Sequence, residues 1–261
     1  MAQEYSYRST GLTDVGKVRK HNEDAFLERP DLGLWLVADG MGGHSSGDMA
    51  SQLIVDTLGQ LPTPASASDL MIDVRTRLAQ VNGILRQAAD ERGPGTIIAS
   101  TVVALLAFGQ HFAAVWAGDS RLYVFRDQRL SQITEDHSHV QEMVKMGLLG
   151  EEEASRHPNA NVVTRAVGAH DELELQVIQD RVRPGDIFLL CSDGLTRMMT
   201  DEEIESVLNQ GQMQDCVEQL IQTALDRGAK DNVTTVLIEA QAQEPSPWDE
   251  DTTIIPASET I

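Results

Sequence analysis

Apolar positions along the chain follow two rhythms. Helical spacing links Met49, Leu53, Ile54 and Leu58, then Leu70, Val74, Leu78, Val81, Leu85 and Ala88, then Val217, Leu220, Ile221, Ala224 and Leu225, and each set predicts a helix with one apolar stripe. Thr200 and Glu203 stand at capping-box spacing ahead of Ile204, Val207 and Leu208, so a shorter helix starts there. Apolar runs rich in Val, Ile, Leu and Phe cover Leu34–Ala38, Ile97–Phe108, Phe112–Ala117, Arg121–Phe125, Ile187–Cys191 and Val233–Glu239. Most are too short for helices and read as strands. Runs that do not alternate, such as Ile187–Cys191, are buried on both faces, which sets them between a second sheet and a helical layer. The pattern predicts an α+β fold with sheets inside and helices outside.

Between Asp136 and Gly168 the rhythm changes to mixed helical and irregular sequence, with Glu151, Glu152, Glu153, His157, Pro158, Asn159 and Asn161 close together. This reads as an insertion beside the core. From Glu244 the sequence EPSPWDEDTTIIPASETI carries three prolines and five acids with no base, so residues 244–261 are expected to form a flexible acidic tail. The folded body is then 1–243.

Composition narrows the function classes. A chain of 261 residues with 41% hydrophobic and 23% charged residues can bury a sizeable core and is neither disordered nor repetitive. Twenty Lys and Arg against 41 Asp and Glu give a net charge of −21, which repels a phosphate backbone and argues against nucleic acid as a partner. No apolar run approaches the roughly 20 residues needed to span a bilayer. The start, MAQEYSYRSTG, lacks the basic and apolar regions of a secretory signal, so no membrane partner and a cytoplasmic location are expected. Cys191 and Cys216 suit reduced core thiols better than a disulfide, and two cysteines offer no thiolate zinc site.

The candidate chemistry lies where apolar strands stop or begin. Asp39 closes VADG, Asp119 sits in WAGDS, Asp193 in LLCSDG, and Asp231 opens KDNVTTVLIEA. In an antiparallel sheet the end of one strand and the start of its neighbour share an edge, so these distant aspartates can converge on one rim. Glycine follows Asp39 and Asp193 and lets backbone approach a ligand. Clustered carboxylates raise one another's pKa unless a cation neutralises them, and an oxygen-only donor set selects a hard ion, Mg2+ or Mn2+. Taken singly, each aspartate could equally cap a turn; four in this setting favour a metal. Upstream, RKHNED places Glu23 and Asp24 beside Arg19, whose planar fork suits phosphate oxygens. An exposed charged loop is the other reading of that hexapeptide.

With those residues in view the chain resembles a known family. Arg19-x-x-x-Glu23-Asp24, VADGMGGH at Val37–His44, GDSR at Gly118–Arg121, SDG at Ser192–Gly194 and DN at Asp231–Asn232 follow the order and spacing of the metal-dependent protein phosphatases of the 2C type. DGMGGH together with TEDHS at Thr134–Ser138 resembles the compact bacterial branch. The resemblance implies an αββα sandwich, two antiparallel sheets flanked by helical layers, with a two-metal site at one edge. It implies that Asp39 bridges both metals, that Asp193 and Asp231 complete one site, and that Glu23 with the Gly40 carbonyl holds the other. Asp24 would orient metal-bound water, Arg19 would grip the substrate phosphate, and Asp119 would support a third, weaker ion. Residues 138–168 fall where the family carries a mobile flap. The implied activity is hydrolysis of phosphoserine and phosphothreonine in proteins, by a monomer reversing a Ser/Thr kinase. The resemblance further implies two Mn2+ or Mg2+ ions that would activate the attacking water, with no phosphoenzyme required.

One position departs from the resemblance. The 2C enzymes of eukaryotes usually carry His directly after the bridging Asp-Gly, as a proposed acid for the leaving alkoxide; here it is Met41. His44 and His137 are candidates for that role, each with a loop or core histidine as its alternative, and a metal-bound water is a third possibility.

Overall fold

Three apolar layers organise the chain. The structure, a computed structural model, describes residues 5–42, 46–150, 153, 157–159 and 162–242. One sheet has the order β1 (Tyr5–Asp14), β11 (Val233–Ala242), β10 (Ile187–Cys191), β7 (Arg121–Arg126) and β8 (Arg129–Gln132). The other runs β2 (Asp24–Arg29), β3 (Leu34–Gly42), β5 (Val102–Phe108), β6 (His111–Ala117) and β9 (Gln176–Arg181), with β4 (Ile98–Ser100) added on β3. Every pairing is antiparallel. Helices α1 (Gly47–Gly59) and α2 (Ala67–Arg92) cover the second sheet, and α5 (Asp201–Leu208) and α6 (Met213–Asp226) cover the first. The short α3 (His139–Lys145) follows β8, and α4 (Asp193–Thr196) opens just after β10.

Alternation decides which layer each side chain joins. Along β3, Leu34, Leu36 and Ala38 pack against α1 and α2, whereas Trp35 and Val37 face the opposite sheet. Along β10, Leu189 and Cys191 meet α5 and α6, whereas Phe188 and Leu190 point between the sheets. Aromatic rings span the inner layer, with Phe112 edge-on to Phe188 at 4.9 Å and Tyr7 tilted against Trp35 at 5.3 Å. The αββα sandwich is therefore as expected, and both cysteines are buried and free.

The differences are local and have physical causes. The run Ile97–Phe108 is two strands, broken at Thr101, whose backbone N–H turns to the Asp39 carbonyl at 2.8 Å. Met49 lies outside its helical stripe because the buried face of α1 is Ala50, Ile54 and Leu58. Strands β1, β2, β8 and β9 carry no continuous apolar run, and they are the four sheet edges. The capping box at Thr200 and Glu203 forms at the start of α5. The insertion departs and returns at one place, where Ser138 bridges Val163 and the Thr164 N–H bonds the His137 carbonyl at 2.8 Å. Residues 151–152, 154–156 and 160–161 of that insertion, and the whole of the expected tail, lie outside the described residues.

Phe188 is fully buried between the sheets. Its replacement by alanine leaves a cavity there and is expected to cost about 3–5 kcal/mol. Urea denaturation followed by circular dichroism measures this, and a loss below about 1 kcal/mol would show that the inner layer collapses to fill the space.

Candidate active site

The two sheets meet at a shared rim where several strands end. Asp24 opens β2 and lies directly opposite Asp39 of β3 in the antiparallel register. Asp24 Oδ2 accepts hydrogen bonds from Ser192 Oγ and Thr234 Oγ1, each at 2.7 Å. Ser192 and Thr234 belong to the chain of the other sheet, so one carboxylate ties both layers together. Asp24 Oδ1 is buried and has no partner among the described residues. Asp39 is held through its backbone: its N–H donates to Thr101 Oγ1 at 3.0 Å and its carbonyl accepts from the Thr101 N–H and from Ser100 Oγ.

Asp193 begins α4 directly after β10, Asp119 joins β6 to β7, and Asp231 precedes β11. Asp119 and Asp193 are buried, and each leaves Oδ1 without a partner among the described residues. Two guanidiniums supply the positive charge. Arg19 forks onto Asp231, Nε to Oδ1 and Nη2 to Oδ2, both at 2.9 Å. Arg197 binds Asp193 Oδ2 and reaches Asp231 Oδ2 at 3.5 Å.

The third corner is Glu23 with Gly40 and Gly47. A Cβ placed on Gly47 would lie 2.6 Å from Glu23 Oε1 and 2.7 Å from the Gly40 carbonyl oxygen, so both oxygens flank one small space. Asn232 fixes the loop that carries Glu23 and Arg19. Its Oδ1 accepts from the Glu23 N–H at 2.8 Å, and its amide donates to the carbonyls of Val15 and His21.

Burial and mutual repulsion set the protonation chemistry. Asp39 is pushed well above the ordinary carboxylate range by burial and then by the charges of Asp24, Asp193, Asp119 and Asp231. Asp193 is raised for the same reasons, with Arg197 opposing. Burial lifts Asp24 to about 6 against the hydrogen bonds from Ser192 and Thr234. Burial, then Asp136, lifts Asp119 to about 6. Glu23 is raised by burial, with Arg19 opposing. The hydrogen bond to Asp231 raises Arg19 further above its already basic value.

Unpartnered buried oxygens on Asp24, Asp119 and Asp193, an all-oxygen donor set and the space at Gly47 fit a hard divalent cation. As the side chains stand, no three His, Cys, Asp or Glu residues among those described are set to close on an ion. Arg19 and Arg197 hold the oxygens that a cation would take.

The glycines after Asp39 and Asp193 serve a different purpose from the one expected. A Cβ on Gly40 would lie 2.0 Å from the Gly47 carbonyl oxygen, and one on Gly194 1.9 Å from that of Asn232. Backbone, not ligand, fills the place of the missing side chain. His137 is buried, stacked on Trp116, and both ring nitrogens are engaged: Nδ1 accepts from the Gly118 N–H at 3.2 Å and Nε2 pairs with Gln176 Oε1 at 2.8 Å. Burial lowers its pKa. It is a satisfied core histidine. His44 lies outside the described residues.

Sequence reasoning missed Ser192, Thr234 and Arg197. Hydroxyls beside Asp carry no signal of their own, but Arg197 stands four residues after Asp193 in DGLTR, the spacing of an intrahelical ion pair.

An αββα sandwich with carboxylates crowded at the rim shared by its two sheets is the arrangement of a protein built for divalent cations. Residues 17–238 match the Protein phosphatase 2C family, and the chain belongs to it. The chain is 48% identical to the solved structure of PppA from Pseudomonas aeruginosa, described as a key regulatory component of T6SS, with a TM-score of 0.83 over 90% of this chain and 97% of that one. It is 37% identical over 234 residues to the serine/threonine protein phosphatase PstP of Mycobacterium tuberculosis, covering 88% of this chain but 44% of that relative. A structure of the PstP catalytic domain in complex with two manganese ions has a TM-score of 0.81 at 34% identity, covering 91% of this chain and 99% of that chain. The serine/threonine phosphatase stp of Listeria welshimeri is 32% identical, with 87% of this chain and 93% of that relative covered.

Two measurements check this electrostatic picture. Asp24 holds its proton more tightly folded, at about 6, than at its ordinary 3.8, so the metal-free fold loses stability as pH rises through that window. Asp24→Asn cannot ionise; in EDTA its stability relative to wild type should grow by about 2–3 kcal/mol between about pH 4 and about pH 8. A difference in urea midpoint that stays constant with pH would refute the raised pKa. Arg197→Ala removes a cation from between two carboxylates. Its metal-free melting temperature should fall by roughly 2–4 °C, with a larger rise on adding Mn2+ than wild type shows. An equal rise would mean that Arg197 does not compete for those oxygens.

Proposed function

We propose that this chain is a serine/threonine protein phosphatase that hydrolyses phosphoserine and phosphothreonine monoesters using two divalent cations, Mn2+ or Mg2+. The observation that carries the reading is the convergence of Asp24, Asp39, Asp119, Asp193 and Asp231, from both sheets, close enough that four of them raise the pKa of the fifth. Asp39, Asp193 and Asp231 would hold one cation, Asp39 with Glu23 and the Gly40 carbonyl the other, and Asp119 a third, weaker one. Bound there, paired cations supply an activated water and offset charge on the transferring phosphoryl group.

The chain's own residues do the rest. Asp24 is fixed through Oδ2 by two hydroxyls, its Oδ1 is unpartnered, and its pKa of about 6 leaves it ionised near neutral pH. It is placed to orient the attacking water and accept its proton. Arg19 is half-exposed, and its fork, held on Asp231 here, matches two phosphoryl oxygens. Attack on phosphorus by water needs no covalent intermediate on the protein. No described residue is assigned to protonate the leaving alkoxide.

The reading extends to a catalytic unit of residues 1–243, a flap at 138–168, and a tail at 244–261. It also extends to a monomeric enzyme in the cytoplasm opposing a Ser/Thr kinase. Among the described residues no helix is long and apolar enough to cross a membrane.

The test is release of phosphate from a phosphothreonine peptide and from p-nitrophenyl phosphate. Turnover should require Mn2+ or Mg2+ and vanish in EDTA; no turnover with either ion would end the proposal. Asp193→Ala should lose at least about a hundredfold in kcat/KM, with weakened Mn2+ binding by calorimetry. Arg19→Ala should act mainly by raising KM about tenfold, and an unchanged KM would remove its phosphate-binding role.

A further inference from the structure

An open groove of about 890 Å³ runs beside the Glu23–Gly40–Gly47 corner, between Met41–Gly42 and Ser46 on one side and Arg92 with Gly95–Ile97 on the other. It begins where that corner ends. Met41 follows Gly40 in the chain, Gly42 pairs with Ile98 in the β3–β4 ladder, and Ser46 precedes the glycine packed on Glu23.

Among the described residues the lining holds apolar side chains, the hydroxyls of Ser46 and Thr96 and one base, with no acid. Met41 and Ile97 supply the apolar surface, and Ile97 is 58% exposed. Gly95, at a φ of 80°, leaves its stretch of wall without a side chain. The one charge is Arg92, the last residue of α2, whose Nη1 donates to the buried Ser46 Oγ, 46 residues earlier. Ten arginines form ion pairs with carboxylates among the described residues. Arg92, beside this corner of a chain with a net charge of −21, has no ion pair among the described residues, as is also true of Arg75, Arg77, Arg129 and Arg181.

We infer that this groove receives the polypeptide flanking the phosphorylated residue, and that Arg92 selects substrates with an acidic side chain near the phosphoserine or phosphothreonine. The inference rests on the phosphatase reading above and adds a preference to it. Screening decays over about 8 Å at physiological ionic strength, so the acidity of distant surface is damped and the nearest charge decides. An anchored guanidinium presents its remaining donors to a carboxylate with little further ordering. A basic flanking residue would meet this cation and no acid in the groove.

The test uses the full chain with Mn2+ and two phosphothreonine peptides of equal length, one with Asp and Glu on both sides of the phosphoresidue and one with Ser and Ala there. Wild type is expected to favour the acidic peptide by about threefold to tenfold in kcat/KM, mainly through KM. Arg92→Ala should bring that ratio to near one, Arg92→Glu should invert it, and Arg92→Lys should keep most of it. A wild-type ratio near one, or an Arg92→Ala loss equal on both peptides, overturns the inference; the second outcome would mark Arg92 as structural. p-Nitrophenyl phosphate has no flanking residues, so its Mn2+-dependent hydrolysis by wild type reports on the phosphatase reading alone. Failure there removes that reading and the groove's role together. Turnover there without peptide discrimination removes only the groove.

Discussion

Repulsion among buried carboxylates is the constraint on which this structure depends. Asp24, Asp39, Asp119 and Asp193 are each raised above the ordinary carboxylate range by burial, and the group is drawn from four separate stretches of chain. Such a cluster persists only if something rigid holds it and something positive balances it. Rigidity comes from the two sheets, each packed on its own helical layer and on the other sheet through the Trp35, Phe112 and Phe188 rings. Balance comes from Arg19 and Arg197, which pair with Asp231 and Asp193. A cation binding to those oxygens would have to displace an ion pair as well as shed water.

The rim is stitched by short-range bonds between residues distant in sequence. Asp24 binds hydroxyls 168 and 210 positions away. Asn232 fixes the loop before β2 through three hydrogen bonds, which sets Glu23 and Arg19 beside Asp231. Gly40 and Gly194 allow the backbone contacts that bring α1 and α4 to this edge. Position in the site is therefore a property of tertiary packing, and the Asp-Gly pairs serve that packing first.

This division explains what could be read from the sequence. The central strands β3, β5, β6, β7, β10 and β11 carry apolar side chains on both faces, so they stand out as unbroken runs, and helices α1, α2, α5 and α6 show stripes because one face of each is buried. The edge strands β1, β2, β8 and β9 are half solvated, and polar residues hide them. Asp39, Asp119, Asp193 and Asp231 were legible because each interrupts or borders an apolar run. Ser192 and Thr234 were not, since a hydroxyl that holds a carboxylate looks like any other strand hydroxyl. His137 shows the opposite limit. A histidine next to acids reads as chemistry, yet its nitrogens are spent on Gly118 and Gln176.

Charge distribution completes the argument. A phosphorylated segment approaching a chain of net charge −21 is repelled at long range, so binding must come from cations close to the point of contact. Most arginines are already neutralised by neighbouring carboxylates, and those pairs add little to either stability or attraction at an exposed surface. Near the rim stand Arg19 and Arg197, each released if a cation takes its carboxylate partners, and Arg92 is tethered to Ser46 with no acidic partner among the described residues. Arg19 pairs with Asp231 among the carboxylates, and Arg92 lines the groove. A site whose acids are offset at only a few points would admit an anion only there, so the placement of those cations, more than the net charge, would decide which phosphorylated segments bind.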